Sequence, residues 1–272
     1  MASLSAYALG GIPEVHAGDD LAALILAAFD EDRRRSGRRP RGGQVIAIAH
    51  TVVSKAEGAV VRLSSVTPSE DALRLAAEQG KDPRAVQVVL DESSEVLRAE
   101  HGVLISRTRH GFVCANAGVD ASNAARESDG ETLMVLPRDP DESARRIRAG
   151  LGGSTEGEDG GDRAAATALA PAVLITDSFG RAWRHGQLDV VIGCAGMQPL
   201  DDWRGRTDAN GMPLTATWLA VADAAAGAAD LARSKDSREP VVVIDGLERF
   251  VTAEDGPGAA ALLRPLEEDL FR

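Results

Sequence analysis

Three short apolar runs, widely separated along the chain, constrain the fold most strongly. Residues 44–49, 172–175 and 241–244 are rich in Val and Ile and too short for buried helices, so each predicts a buried β-strand. A further strand is expected near Tyr7–Leu9 and another over Val103–Ser106. Helical segments interrupt these strands at irregular intervals. This order favours an α+β fold over a regular array of βαβ units.

Helix boundaries are marked by local signals. Asp19 is expected to cap a first helix, whose apolar positions recur from Leu21 to Phe29. Thr67–Glu70 resembles a capped start that Gly80 closes, and Pro83 opens a helix expected to run to about Leu97. Residues 215–233 are rich in Ala and predict a last helix, and an acidic tail follows the strand at 241–244.

Two polar stretches predict irregular structure. Arg33–Gly43 is basic and contains glycine, and we expect a solvated loop. Gly152–Asp162 contains no apolar residue and predicts a mobile loop or linker. The length of 272 residues allows one large domain or two small ones, and 44% apolar residues suffice for a core.

Charge and composition narrow the function classes. A net charge of −12 and a pI near 4.9 disfavour a nucleic-acid partner. No apolar run reaches the roughly 18 residues of a membrane span, and Met1–Gly10 lacks signal-peptide features, so we expect a cytoplasmic protein without a membrane partner. Cys114 and Cys194 have no metal-binding spacing and are expected to be buried thiols.

The segment Thr108–Asn123 is the first candidate site. A short strand, Phe112–Cys114, is followed by Asn116, Gly118, Asp120 and Asn123, small residues that suit a metal-bound phosphate. Asn116 could equally be a buried turn residue that satisfies loop backbone.

A second candidate lies in Ala172–Arg184, where an apolar strand is expected to end at Asp177, Ser178 and Gly180. Two strand-end aspartates, Asp120 and Asp177, could share one cation. The alternative is structural: Asp120 makes an Asx-turn and Asp177 caps a helix. The common nucleotide and hydrolase motifs, GxxxxGK[ST], GxGxxG, GxSxG and HExxH, are absent.

Five segments carry a resemblance to a known family, in one order along almost the whole chain. They are Ile12–Glu14, Val53–Gly58, Arg109–Asn123, Thr176–Arg181 and Glu267–Phe271. Together they resemble the coenzyme F420-0:L-glutamate ligase (F420 gamma-glutamyl ligase) family. Some bacterial relatives carry an additional flavin-binding domain, and the chain is expected to be the stand-alone ligase module.

The resemblance implies a GTP-dependent ligase. It would join L-glutamate to the carboxylate of the deazaflavin precursor F420-0, or a close variant, through an acyl phosphate, and then add γ-linked glutamates. It also implies two interleaved parts, residues 1–95 with 222–272 and an inserted part 96–221, in an intertwined homodimer. A metal-dependent phosphohydrolase and a non-catalytic nucleotide- or deazaflavin-binding protein are the alternatives.

The resemblance also assigns roles to residues. Asp120, Asp177 and Ser178 would bind Mg²⁺ or Mn²⁺, with K⁺ as a further ion, and Asp120, Asp177 and Lys55 would be catalytic. The nucleotide would contact Ile12, Pro13, Glu14, Val15, His50, Lys55, Asn123, Ser234, Lys235 and Asp236. His50 is expected to act through its backbone, and Lys55 is placed at a strand end. Ser234–Asp236 lacks the glycine found in relatives. Arg109 either binds substrate or pairs with a surface carboxylate.

Overall fold

The computed structural model describes residues 3–38, 41–120, 131–152 and 170–269. Within these ranges the chain forms strands and helices in mixed order. The strands are β1 (Ser5–Ala8), β2 (Val45–Ala49), β3 (Val60–Arg62), β4 (Ser93–Glu100), β5 (Val103–Thr108), β6 (Val113–Ala115), β7 (Thr132–Met134), β8 (Ala172–Arg181), β9 (Arg184–Ala195), β10 (Leu200–Asp202), β11 (Trp218–Ala220) and β12 (Val241–Asp245). The α-helices are α1 (Leu21–Ser36), α2 (His50–Ala56), α3 (Glu70–Gln79), α4 (Pro83–Asp91), α5 (Pro140–Gly152) and α6 (Val221–Ala232).

The three apolar runs form the centre of a five-stranded sheet, in the order β1-β12-β2-β8-β9. Strands β2 and β8 are parallel, and the other neighbours are antiparallel. Their side chains alternate between two buried faces. Ile46 and Ile48 pack with residues of α1 and α5, whereas Val45 and Ala47 pack with residues of α6. Burial on both faces explains why these runs are continuously apolar.

Smaller sheets complete the fold. Helices α3 and α4 pack near the three-stranded sheet β4-β5-β6, around Leu75, Val86 and Leu104. Strands β3 and β7 pair with each other, as do β10 and β11. The combination of sheets and irregularly inserted helices confirms the mixed α and β class.

Several local predictions are confirmed. Ser69 caps α3 with its side chain, Gly80 ends that helix in the left-handed conformation, and Pro83 is the first residue of α4. Cys114 and Cys194 are both buried free thiols. Among the described residues, the helices are too short or too polar to cross a membrane.

The boundaries of α1 differ from expectation. Asp20 is the N-cap, because its carboxylate accepts hydrogen bonds from the backbone amides of Ala22 and Ala23, whereas the Asp19 carboxylate accepts from the His16 amide. At the other end, the basic segment predicted to start a loop continues the helix to Ser36, where Gly37 ends it. Basic side chains are favourable in a last turn, so composition alone was misleading here.

Three other elements depart from the prediction for a tertiary reason. Helix α4 stops at Asp91, because the next residues pair with β5 as strand β4. Helix α6 starts only at Val221, because Trp218–Ala220 pairs with β10. Strand β8 does not end at Asp177; it continues to Arg181 in a hairpin with β9.

The expected division into 1–95 with 222–272 and 96–221 stays a prediction. The five-stranded sheet takes strands from both parts, since β8 and β9 lie beside β2. The homodimer likewise stays a prediction. Of the expected mobile loop 152–162, only Gly152, the last residue of α5, lies within the described residues.

Candidate functional site

A cleft of ≈ 870 Å³ opens where strand β2 ends and the parallel strand β8 continues beyond it. In their register Ala49 lies opposite Thr176, so the next residues, His50 and Asp177, reach the same edge of the sheet. Ligand sites commonly lie at the carboxyl ends of parallel strands. The loop 12–15, the 116–120 segment and the 233–240 segment complete the walls.

The cleft brings together most of the residues that the sequence singled out. The predicted site residues that line it are Ile12, Pro13, Glu14, Val15, His50, Lys55, Asp120, Asp177, Ser178, Ser234 and Lys235. Asp236 is described but is not among the lining residues, and Asn123 lies outside the described ranges. The roles of these residues remain predictions.

Asp177 is fixed on one side by α2. The His50 ring is almost fully buried, and its Nε2 lies 3.3 Å from Asp177 Oδ1. The Ser54 hydroxyl donates to the Val135 carbonyl at 2.7 Å, so its oxygen is left to accept from His50 Nδ1, 3.4 Å away. Protein groups thus face both ring nitrogens of His50, and a nucleotide contact through its backbone stays a prediction. The helix-cap alternative for Asp177 is wrong, since this residue lies within a strand.

Asp120 enters the cleft from a different element. Its backbone amide and carbonyl form a reciprocal pair of 2.9 Å hydrogen bonds with Met134. The turn before it contains Asn116 and Ala117, both with positive φ, and then Gly118. Asn116 Oδ1 accepts from Lys81 Nζ at 3.2 Å and from the Leu104 amide at 3.3 Å. The side-chain oxygen of the half-buried Asn116 is therefore used within the turn, and the residue also lines the cleft.

Lys55 lies in the last turn of α2 and not at a strand end, because the segment after β2 becomes helical at His50. Its ammonium forms a close ion pair with Glu14 across the cleft. The hydrogen bond from Lys55 and its charge lower the pKa of Glu14 below the ordinary carboxyl value. The Glu14 carboxylate thus neutralises the Lys55 ammonium, and both residues are predicted nucleotide contacts.

Asp189 and Arg233 are cleft residues that the sequence analysis missed. Asp189 lies on β9 opposite Ser178 and is 1% exposed. It accepts hydrogen bonds from Ser178 Oγ at 2.6 Å and Thr176 Oγ1 at 3.1 Å, and it forms a close ion pair with Arg233. Burial by itself would raise the pKa of Asp189, but the bond from Ser178 and the charges of Arg233 and Lys235 lower it overall. The only sequence signal was a carboxylate directly before the apolar run of residues 190–192.

The donor set fits a small hard cation. Asp120 and Asp177 offer carboxylate oxygens to one cleft, and Ser178 offers a hydroxyl. Within the described ranges, three or more His, Cys, Asp or Glu side chains do not come together as a complete metal cage. Mg²⁺ usually binds one or two carboxylates and completes its shell with water and substrate phosphates. The two aspartates therefore suit a cation that arrives with a polyphosphate.

The remaining candidates have structural explanations. Arg109 Nη2 pairs with Glu92 Oε1 at 2.5 Å on the surface, which favours the surface-pair alternative over substrate binding. Cys114 lines the cleft, but burial and the neighbouring Asp177 raise its pKa to about 12. A thiol with that pKa is not a nucleophile near neutral pH.

Comparison with known proteins identifies the family of the chain. The sequence model described as F420-0:Gamma-glutamyl ligase matches residues 11–246. Proteins named coenzyme F420:L-glutamate ligase are similar to the chain. The one from Methanothermobacter thermautotrophicus is 42% identical over 99% of both chains. The one from Methanopyrus kandleri is 39% identical over 97% of this chain and 100% of its own, and that from Halobacterium salinarum is 39% identical over 96% and 97%. The chain belongs to the F420-0:gamma-glutamyl ligase family.

Proposed function

We propose that the protein is a GTP-dependent ligase that joins L-glutamate to the carboxylate of F420-0 and then adds further glutamates through γ-linkages. The observation that carries the proposal is the convergence of Asp120, Asp177 and Lys55 on one cleft, although they come from separate segments. Support also comes from the names of relatives that match nearly the whole chain.

The chemistry explains why such a site needs both carboxylates and a cationic side chain. A carboxylate is a poor electrophile, so one of its oxygens first attacks the γ-phosphorus of GTP, and the bond to GDP breaks. The glutamate amine then attacks the acyl carbon, phosphate leaves with the C–O electron pair, and the nitrogen loses a proton. The first step depends mainly on positioning and on neutralising phosphate charge.

Individual residues have distinct parts in this proposal. Lys55 would place its ammonium against nucleotide phosphate oxygens, which requires its exchange from the Glu14 carboxylate. Asp120 and Asp177 would hold Mg²⁺ or Mn²⁺, which neutralises charge on the transferred phosphoryl group. The His50 ring would keep the Asp177 carboxylate oriented. The loop 12–15 and the segment after α6 would enclose the nucleotide in an assembly proposed to be a homodimer.

A turnover assay with each substrate omitted tests the ligase reaction. Release of GDP should be slow with GTP alone and should rise when both F420-0 and L-glutamate are present, with one GDP per amide bond formed. Mass analysis of the acceptor should show added glutamate residues. Rapid GTP hydrolysis that ignores both acceptor and glutamate, with no gain in mass, would identify a phosphohydrolase instead.

Substitution of the two aspartates tests the cation site. Asp120→Asn and Asp177→Asn should each nearly abolish ligation, because each removes a carboxylate ligand while keeping the side-chain volume. Asp202→Asn is the matched control, since Asp202 is an exposed residue of β10 outside the cleft lining. Circular dichroism should show intact folding for all three variants. Full activity of Asp120→Asn would contradict the assignment.

A further inference from the structure

The Ser178 hydroxyl has a defined hydrogen-bond direction. A hydroxyl has one proton and two lone pairs. Ser178 Oγ donates its proton to the buried Asp189 Oδ1 at 2.6 Å, and Asp189 is itself held by Arg233. The oxygen of Ser178 can therefore only accept from groups on its other side. Asp189 thereby acts as a positioning residue that presents the lone pairs of Ser178.

The group that now uses such a lone pair is the Lys235 ammonium. Its Nζ donates to Ser178 Oγ at 2.8 Å and lies 2.9 Å from Asp230 Oδ1 and 3.6 Å from Asp189 Oδ1. The contact with Asp230 is an ion pair without hydrogen-bond geometry, so that buried oxygen has no hydrogen-bonded partner. The Lys235 ammonium thus lies among the oxygens of Ser178, Asp189 and Asp230.

The environment of Lys235 allows this charge to move. Its side chain is 66% exposed, whereas Arg233, two residues earlier, is 9% exposed and anchored to the Pro240 carbonyl. Lys235 lies between α6 and β12, in a segment that also lines the cleft. Arg233 is held in place in the cleft wall, whereas Lys235 can turn toward solvent without exposing the buried ion pair of Asp189 and Arg233.

We propose that Lys235 acts as an internal cation, which occupies the position beside the Ser178 oxygen when no metal is bound and leaves when a divalent cation binds there. This inference rests on the proposed function, because it takes Ser178 as a ligand of that cation. An ammonium and a divalent cation repel each other and would both approach the accepting side of the same oxygen, so the two compete. Once displaced, the ammonium lies beside the cleft, where nucleotide phosphates provide the opposite charge.

Titration with Mn²⁺ alone, followed by the electron paramagnetic resonance signal of the free ion, tests the competition. Lys235→Met removes the ammonium and keeps much of the side-chain length. It should tighten Mn²⁺ binding by about fivefold, the effect of removing one charge at about 4 Å in a largely hydrated setting. Arg98→Met is the matched control, because Arg98 is an exposed cation of β4 outside the cleft lining, and it should leave the affinity unchanged.

A double-mutant cycle tests whether the tighter Mn²⁺ binding depends on Ser178. In the Ser178→Ala background the ammonium loses the oxygen that holds it beside the metal position and can turn toward solvent, so Lys235→Met should give no further tightening. Equal Mn²⁺ affinity of the wild type and Lys235→Met would overturn the proposal, and so would equal tightening by Arg98→Met. The proposal would also fail if Lys235→Met still tightened Mn²⁺ binding in the Ser178→Ala background, or if neither the wild type nor Lys235→Met bound Mn²⁺. Glutamate ligation by the wild type is measured separately. Ligation with an unchanged Mn²⁺ affinity of Lys235→Met refutes this inference alone, whereas absence of ligation refutes the proposed function.

Discussion

Removal of the Arg233 guanidinium should destabilise the fold through a single buried carboxylate. Arg233 is 9% exposed, and it forms a close ion pair with Asp189, which is 1% exposed. The guanidinium also donates to Thr176 Oγ1 and to the Pro240 carbonyl, both at 3.0 Å. Arg233→Met keeps an unbranched apolar stem of similar direction and removes only the charge and these hydrogen bonds.

The expected loss in the free energy of unfolding is about 3 kcal/mol. Loss of one partner of a buried ion pair typically costs about 3 to 5 kcal/mol, because an uncompensated charge stays buried. The lower end applies here, since Asp189 keeps its hydrogen bonds from Thr176 and Ser178, and Lys235 Nζ remains 3.6 Å away.

The pH dependence gives a second signature. The pKa of Asp189 in the folded chain lies below its ordinary value of 3.8, so the folded state binds fewer protons there than the unfolded chain. Its contribution to stability is therefore complete above that ordinary value and is lost as the pH falls through the folded-state pKa. In Arg233→Met burial remains and the main cation is gone, so the pKa of Asp189 should rise. The loss in the free energy of unfolding of Arg233→Met, relative to the wild type, should be largest at pH 7 and should shrink toward pH 4.

Urea unfolding followed by circular dichroism at several pH values measures this deficit. Arg98→Met is the control, because it removes an exposed ion pair with Glu100, which is worth at most about 1 kcal/mol. A deficit of Arg233→Met no larger than that of the control at pH 7, or one that stays constant between pH 7 and pH 4, would refute the argument.

Two further outcomes follow from the same geometry. Lys55→Ala should weaken GTP binding by about 1 to 3 kcal/mol, the range for a charged hydrogen bond; calorimetry that finds an unchanged dissociation constant would contradict the phosphate contact. Burial raises the pKa of both Cys114 and Cys194 to about 12, so neither thiol of the native protein should react with iodoacetamide at pH 8, and both should react in urea. Mass spectrometry counts the labels, and rapid labelling of native Cys114 would show that the cleft floor is open.

The sequence predicted the sheet better than the helix ends, for a physical reason. A strand buried on both faces must be apolar at every position, so residues 45–49, 172–175 and 241–244 are recognisable without knowledge of their neighbours. The end of α4 is different, because Ser93–Glu100 is half exposed and becomes a strand only through pairing with β5. Local pattern contains no information about that partner.

The residues of the candidate site likewise fall into those that the sequence identified and those that it did not. The loop 12–15 and His50 were assigned through the resemblance to a family, whereas Asp177 was already recognisable after an apolar run. Asp189 and Arg233 are 44 residues apart, and their importance depends on the pairing of β8 with β9 and on where α6 ends. Neither position has a local motif. A lone aspartate beside an apolar run is a useful signal only if its burial is known.

The charges within the cleft bear on the proposed binding of a polyphosphate by a chain with a net charge of −12. Lys55 pairs with Glu14, and Lys235 lies among Ser178, Asp189 and Asp230. Each ammonium thus has an anionic partner in the wall of the cleft. Binding of a nucleotide would exchange these carboxylates for phosphate oxygens, so the affinity reflects a difference between two sets of ion pairs. On the proposed function, net charge would oppose long polyanions that contact the whole surface, whereas affinity for one nucleotide would depend on two lysines that can exchange partners.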